Sequence, residues 1–211
     1  MKEVINIALL GAGTIGSGVL ALLESNCEDI ARKTNAAICV KKVLETNPQT
    51  IEALGSKYQI AANLDEILQD ESIQIVIELI GREEPAHTFI LKALQAGKHV
   101  VTANKDVIAK YGAELFAEAE KQKLSLFFEA SVGGGIPIIR PLKQCLAANK
   151  IQKIMGIVNG TTNYMLTKMT KEKSDYPVVL KEAQAHGYAE SDPSADVGGL
   201  DAARKLVILS S

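Results

Sequence analysis

From Val4 to Leu10 the chain is apolar except for Asn6, and the run ends on glycine. This is the pattern of a strand buried on both faces of a parallel sheet. The pattern predicts a helix next, over Ile15 to Ser25, and a second strand over Ala37 to Leu44. Asn63, with Glu66 three residues later, reads as a capping box that opens a short helix. Ile73 to Ile80 is another apolar strand. Pro85 opens the following helix and Gly97 closes it. Lys98 to Thr102 reads as a strand, Asp106 to Lys123 as an amphipathic helix, and Leu124 to Glu129 as a further strand. Strands and helices alternating in this way build an α/β fold, a doubly wound parallel sheet with right-handed crossovers.

After Ser131 the pattern changes. Gly133-Gly134-Gly135 forms a flexible turn, and Pro137 starts a helix expected to reach about Ala148. Ile151 to Val158 reads as a strand and Gly160 to Lys171 as a helix. Pro177 to His186 is a second helix, stopped by Gly187. A boundary near Ser131 to Gly135 assigns residues 1–131 to one domain and 132–211 to another. The last apolar-periodic segment, Leu200 to Leu209, has no glycine or proline stop. The second domain is therefore expected to be the first part of an α+β unit, incomplete at its C-terminus.

Composition narrows the function classes. The 211 residues carry a net charge of −2 and no basic cluster, which argues against nucleic acid or an acidic membrane surface as partner. No apolar run approaches the roughly 18–20 residues needed to span a bilayer. Cys27, Cys39 and Cys145 are scattered without ligand spacing, as are His87, His99 and His186. Such cysteine usage, with no charged leader ahead of the first strand, predicts a cytoplasmic protein.

Candidate chemistry begins at Gly11-Ala12-Gly13-Thr14-Ile15-Gly16, a GxGxxG between a predicted strand and a predicted helix. In this motif the first glycine makes the tight turn, the second lets backbone approach a pyrophosphate, and the third lets helix and strand pack closely. Free amides at the helix N-terminus receive the phosphates. The strand–turn–helix context favours dinucleotide binding over a glycine turn without a ligand. Glu45, at the end of the second strand, is the candidate for the ribose hydroxyls and would favour NAD. It lies 29 residues after Gly16, against a usual spacing of ~20. Lys41 and Lys42 are the alternative, as partners of a 2′-phosphate, and a plain loop acid is the bland reading of Glu45. Lys105 follows a buried strand at its carboxyl end, the edge where open α/β sheets bind ligands.

A second cluster lies near the C-terminus. Glu190, Asp192, Asp196 and Asp201 precede Lys205, with Gly187, Pro193, Gly198 and Gly199 fixing the backbone between them. Four acids held close repel one another unless cations or hydrogen-bond donors sit among them. Asp201 and Lys205, four apart, share one face of a helix. Spacing alone admits an exposed ion pair as readily as an active site.

Taken with Glu78-Leu79-Ile80-Gly81, Val100–Lys105, Glu129–Pro137 and Asn159-Gly160-Thr161-Thr162-Asn163-Tyr164, these segments in this order resemble homoserine dehydrogenase along essentially the whole chain. The resemblance implies a Rossmann-type domain followed by part of a substrate and dimerisation domain. It implies an oxidoreductase that interconverts L-aspartate 4-semialdehyde and L-homoserine with NAD or NADP, in threonine and methionine biosynthesis, as a homodimer when full length. By the same resemblance Lys205 donates the proton, Asp201 orients substrate or Lys205, and Lys105 stands beside cofactor and substrate. Glu190 holds the substrate amino group, while Tyr188, Asp196, Gly160 and Thr161 line the substrate pocket and Gly81 lies at the cofactor. Glu129, with the carbonyls of Val132, Gly134 and Ile136, matches a monovalent cation site such as one for sodium. Two departures stand out: relatives usually carry a second glycine where this chain has Arg82, and an arginine where it has Glu45-Thr46-Asn47. Two other functions stay open, a non-catalytic dinucleotide-binding fragment of such an enzyme and a Rossmann dehydrogenase of another small aldehyde or alcohol.

Overall fold

The computed structural model describes residues 3–189 and 191–211. It divides into two compact units, Met1–Ile136 and Pro137–Ser211. In the first, strands β1 (Glu3–Leu10), β2 (Ala36–Leu44), β3 (Gln59–Ile60), β4 (Ile73–Glu78), β5 (His99–Thr102) and β6 (Leu126–Phe127) form one sheet in the order β3-β2-β1-β4-β5-β6. Every adjacent pair is parallel. Ile7 to Leu10 of central β1 are buried, because helices cover both faces of such a sheet. The order reverses between β1 and β4, and there the carboxyl ends of the strands open a crevice.

The helices of this unit are α1 (Thr14–Ser25), α2 (Cys27–Thr34), α3 (Pro48–Leu54), α4 (Asp65–Leu68), α5 (Ala86–Gln95) and α6 (Lys105–Lys121). The sequence pattern does not reveal α2. Its presence between α1 and β2 accounts for the long spacing from Gly16 to Glu45. The helix ends follow local chemistry. Gly97, at φ +77°, lets α5 end with bonds from Gly97 N to Leu94 O (3.0 Å) and from Lys98 N to Ala93 O (2.9 Å), the double bond that a left-handed residue after a helix permits. At α4, Asn63 Oδ1 accepts from Glu66 N (3.1 Å), but Glu66 reaches back to Ala62 N rather than to the Asn63 amide.

Three expectations need correction. The strand expected over Leu124 to Glu129 is only Leu126–Phe127, and Glu129 opens a 3₁₀ turn, Glu129–Ser131. The helix expected from Pro137 to Ala148 is a single π turn, Pro141–Cys145. Pro141 has no N–H to continue an α-helical ladder, and its carbonyl accepts from Leu146 N, five residues on, at 3.0 Å. Ile151 to Val158 forms no strand. A strand requires a ladder partner, and the described residues of the second unit contain no other strand. Ile151, Met155 and Ile157 are consequently exposed.

The second unit is helical: α7 (Gly160–Glu172), α8 (Tyr176–Ala185), α9 (Ser194–Val197) and α10 (Leu200–Ser210). Met165, Val179, Ala183 and Ala189 make its small core. No described helix is long and apolar enough to cross a membrane.

Candidate functional site

The glycine turn sits where β1 meets α1. Gly11 has φ +88°, and a Cβ there would lie 2.9 Å from Leu79 O. A Cβ on Gly16 would lie 2.1 Å from Gly11 O, a distance no side chain tolerates. Gly13 differs: a Cβ there meets nothing within 4 Å. Two glycines thus serve packing, while the third faces open space. Helix α1 starts without a side-chain cap and without an acid in its first turn. Its N-terminal amides near Thr14 and Ile15 are therefore not spent on side chains, and they suit an anion. This cradle fits the pyrophosphate of a dinucleotide.

Beside the turn lies a cleft of about 810 Å³, lined by Gly11, Gly13, Glu45, Asn47, Asn63 and Arg82 among others. Glu45 does more than face it. Its Oε2 accepts from Ala12 N at 2.7 Å, and its Oε1 accepts from Thr46 N at 2.8 Å and Asn47 N at 2.9 Å. Burial disfavours the charged carboxylate, but the donors at Asn47, Ala12 and Thr46 outweigh it and hold the carboxyl below its usual range. A charged Glu45 therefore ties the end of β2 to the glycine turn, with lone pairs left for a ligand.

Lys41 and Lys42 are committed elsewhere. Lys41 Nζ lies 2.8 Å and Lys42 Nζ 3.8 Å from Asp70 Oδ2. Neighbours in a regular strand point to opposite faces, but the β1–β2 register slips at this level, pairing Ile7 with Val40 and Ala8 with Lys42. The extra residue, Lys41, lets both lysines approach one carboxylate. Neither lines the cleft.

At the mouth, a buried chain of hydrogen bonds that the sequence reading missed fixes the turn after β4. Glu78 accepts from Ile80 N (2.7 Å) and from Thr102 Oγ1 (2.6 Å). Thr102 accepts from Asn104 N (2.9 Å), and Asn104 Nδ2 donates to Arg82 O (2.8 Å). Asn104 also caps α6 through Val107 N, which sets half-buried Lys105 as its first residue. Gly81, at φ +80°, turns the chain at this point. The signal in the sequence is a glutamate closing a strand whose other residues, Gln74 apart, are apolar. Nearby, Val132 follows the 3₁₀ turn, and Gly133 and Gly134 take φ +80° and +57° in the turn closed by Ile136 N on Gly133 O.

In the second unit two members of the acidic block, Asp196 and Asp201, meet at Asn159. Lys205 Nζ donates to Asp201 Oδ2 at 2.7 Å and to Val158 O at 2.6 Å. Asn159 Nδ2 donates to the same Asp201 oxygen at 2.8 Å and to Asp196 Oδ1 at 2.7 Å. The Asn159 Oδ1 accepts from Thr162 N and Oγ1, capping α7 where Gly160 begins it. One buried amide thus supplies donors to two carboxylates and a cap to a helix. Thr161 Oγ1 donates to Tyr188 O, and the Tyr188 ring, largely exposed, lies 4.7 Å from that of Tyr164. Gly187, at φ +74°, ends α8 and leads into Tyr188. Asp192 stands apart, its side chain bonded to Ser194 N. Glu190 lies outside the described residues. The cluster pairs an ammonium with a carboxylate at the start of α10, an arrangement able to donate a proton while holding its geometry. Asn159 was not among the expected site residues, although an Asn-Gly-Thr-Thr run entering a helix is a visible capping signal.

Residues 11–129 match the model of the homoserine dehydrogenase NAD-binding domain, and residues 137–211 that of homoserine dehydrogenase. The chain is 49% identical to homoserine dehydrogenase of Lactococcus lactis over 98% of its own length and 49% of that protein. A homoserine dehydrogenase structure from Thiobacillus denitrificans superposes with a TM-score of 0.93 at 45% identity, over the whole chain and 49% of the other. A hyperthermophilic archaeal homoserine dehydrogenase solved with NADPH gives a TM-score of 0.84 at 28% identity, over 98% and 69%. The chain spans about half the length of the curated relatives it matches.

Proposed function

The chain belongs to the homoserine dehydrogenase family, and on that premise we propose that it is the nucleotide-binding domain and first part of the substrate domain of an NAD(P)-dependent oxidoreductase interconverting L-aspartate 4-semialdehyde and L-homoserine. The observation that carries this reading is Lys205, its ammonium aimed by Asp201 and the Val158 carbonyl. Reducing an aldehyde builds negative charge on oxygen, and an oriented ammonium stabilises that charge and supplies the proton. A bound nicotinamide dinucleotide supplies the hydride. Asp201 holds Lys205, and Asn159 keeps Asp201 and Asp196 together against their repulsion. The carboxylates Asp196 and Glu190 suit the ammonium of an amino-acid substrate, with Gly160, Thr161 and Tyr188 as pocket wall. Lys105 serves cofactor and substrate from the start of α6.

Glu45 supports NAD over NADP. Its charged carboxylate at the end of β2 accepts ribose hydroxyls and repels a 2′-phosphate, and the two lysines that would offset it are held by Asp70. The donor set of the Glu129 carboxylate and the carbonyls of Val132, Gly134 and Ile136 consists of hard oxygens, suited to a monovalent cation such as sodium. The full-length protein is read as a homodimer.

The test is NAD- and NADP-dependent oxidation of L-homoserine, followed by absorbance of the reduced nicotinamide, with Lys205→Ala alongside. Turnover with NAD, lost by at least about 100-fold in Lys205→Ala while NAD affinity is kept, is the expected result. Unchanged turnover in that variant removes Lys205 from the chemistry. A second reading, a dinucleotide-binding fragment without catalysis, draws on the half-length match to relatives; binding of NAD without turnover selects it.

A further inference from the structure

We propose that Arg82 is a cofactor-contacting residue of this chain, its guanidinium binding the phosphate charge of the ADP half of the dinucleotide. The proposal rests on the dinucleotide reading given above. Five charged residues line the cleft: Glu45, Asp65, Arg82, Glu84 and Lys92. Glu45 is engaged by three backbone amides. Glu84 is engaged by Thr88 Oγ1 at 2.9 Å and His87 Nδ1 at 3.1 Å. Among the described residues no side-chain partner holds Arg82 or Lys92. Asp65 is the third charged side chain without a partner among the described residues, so the cleft offers two unengaged cations against one unengaged carboxylate, and Arg82 and Lys92 are the groups there that can pair with the phosphates of a ligand.

Position favours Arg82 over Lys92. Arg82 follows Leu79 and Ile80, the segment that abuts the glycine turn: Leu79 N donates to Leu10 O at 2.8 Å, and Leu79 O and Ile80 Cα crowd Gly11. Lys92 lies further on, in the last turn of α5. The base of Arg82 is also fixed while its head is free. Its carbonyl accepts from buried Asn104, at the end of the chain of bonds from Glu78. An anchored backbone with an exposed, unpaired guanidinium beside an anion cradle is the arrangement of a phosphate-binding arginine.

The experiment measures binding of ADP-ribose and of adenosine to the wild-type chain, Arg82→Gln and Arg82→Lys at two salt concentrations. The anchoring bond uses only the backbone carbonyl, so each variant retains the fold. ADP-ribose affinity is expected to fall roughly tenfold in Arg82→Gln, to be largely kept in Arg82→Lys, and to become less salt-sensitive in Arg82→Gln. Adenosine, which has no phosphate, is expected to bind all three equally. Equal ADP-ribose affinity in wild type and Arg82→Gln overturns the proposal. Equal losses for adenosine and ADP-ribose also overturn it, because the contact would then be to the base. Failure of the wild-type chain to bind ADP-ribose strikes instead at the dinucleotide reading, and the proposal falls with it.

Discussion

Gly13 and Gly16 belong to one motif but do different jobs, and the distinction can be measured. Alanine at 16 drives a methyl into the Gly11 carbonyl, an overpacking expected to cost about 1–3 kcal/mol and to spoil the turn. Alanine at 13 has room and an ordinary φ of −66°. Gly13→Ala is therefore expected to keep wild-type stability within about 0.5 kcal/mol and to lose dinucleotide affinity, because the methyl fills the space meant for phosphate. Urea unfolding and NAD titration of both variants separate the roles; a Gly13→Ala protein that binds NAD normally would falsify the cradle. Glu45 teaches a related lesson. The sequence marks it as the acid at the end of the second strand, but its bond to Ala12 appears only when β1 and β2 lie side by side.

At the scale of elements, Asn159 couples helix α7 to helix α10. Asn159→Ala removes a cap worth about 1 kcal/mol and leaves Asp196 and Asp201 without their shared donor. Asn159→Asp keeps a capping oxygen but assembles three carboxylates, which repel when all are charged. Asn159→Asp is expected to be less stable than wild type at pH 7 and to recover part of that loss near pH 4, as one carboxyl takes up a proton. Denaturant midpoints at the two pH values test this, and a stability deficit independent of pH would rule out the repulsion. Long elements were legible from periodicity: β1, β4 and α6 fall where the apolar pattern puts them. The π turn at Pro141–Cys145 and the absent strand over 151–158 were not. The first depends on one missing N–H in mid-segment, and the second on a ladder partner that no local pattern can report.

For the molecule as a whole, one acid-sensitive contribution to stability lies at the joint between β2 and the loop that enters β4. Hydrogen bonds from Lys41 and Ser72 lower the Asp70 carboxyl from its ordinary 3.8 to about 2. A carboxyl with a depressed folded-state pKa contributes its full stability above its unfolded value and loses it as pH falls through the folded one. Asp70→Asn is accordingly expected to be less stable than wild type at pH 7. The difference should shrink from about pH 4 downward and vanish only below about pH 2. A difference that persists unchanged at pH 2 means that Asp70 acts by packing rather than by charge.

The sequence by itself determined the alternation of strands and helices, the glycine turn, the Asp201–Lys205 pairing and the family likeness, because each rests on local periodicity, backbone sterics or helical spacing. Tertiary structure decided which charges are spent and which are free. Whether Lys41 and Lys42 serve a ligand depended on a register slip and on Asp70, 28 and 29 residues away. Whether Glu45 clamps the glycine turn depended on the order of two strands. Whether Asn159 links Asp196 and Asp201 depended on how α7, α9 and α10 come together. Electrostatic and hydrogen-bond partnership acts over a few ångströms of space, and distance along the chain does not encode it.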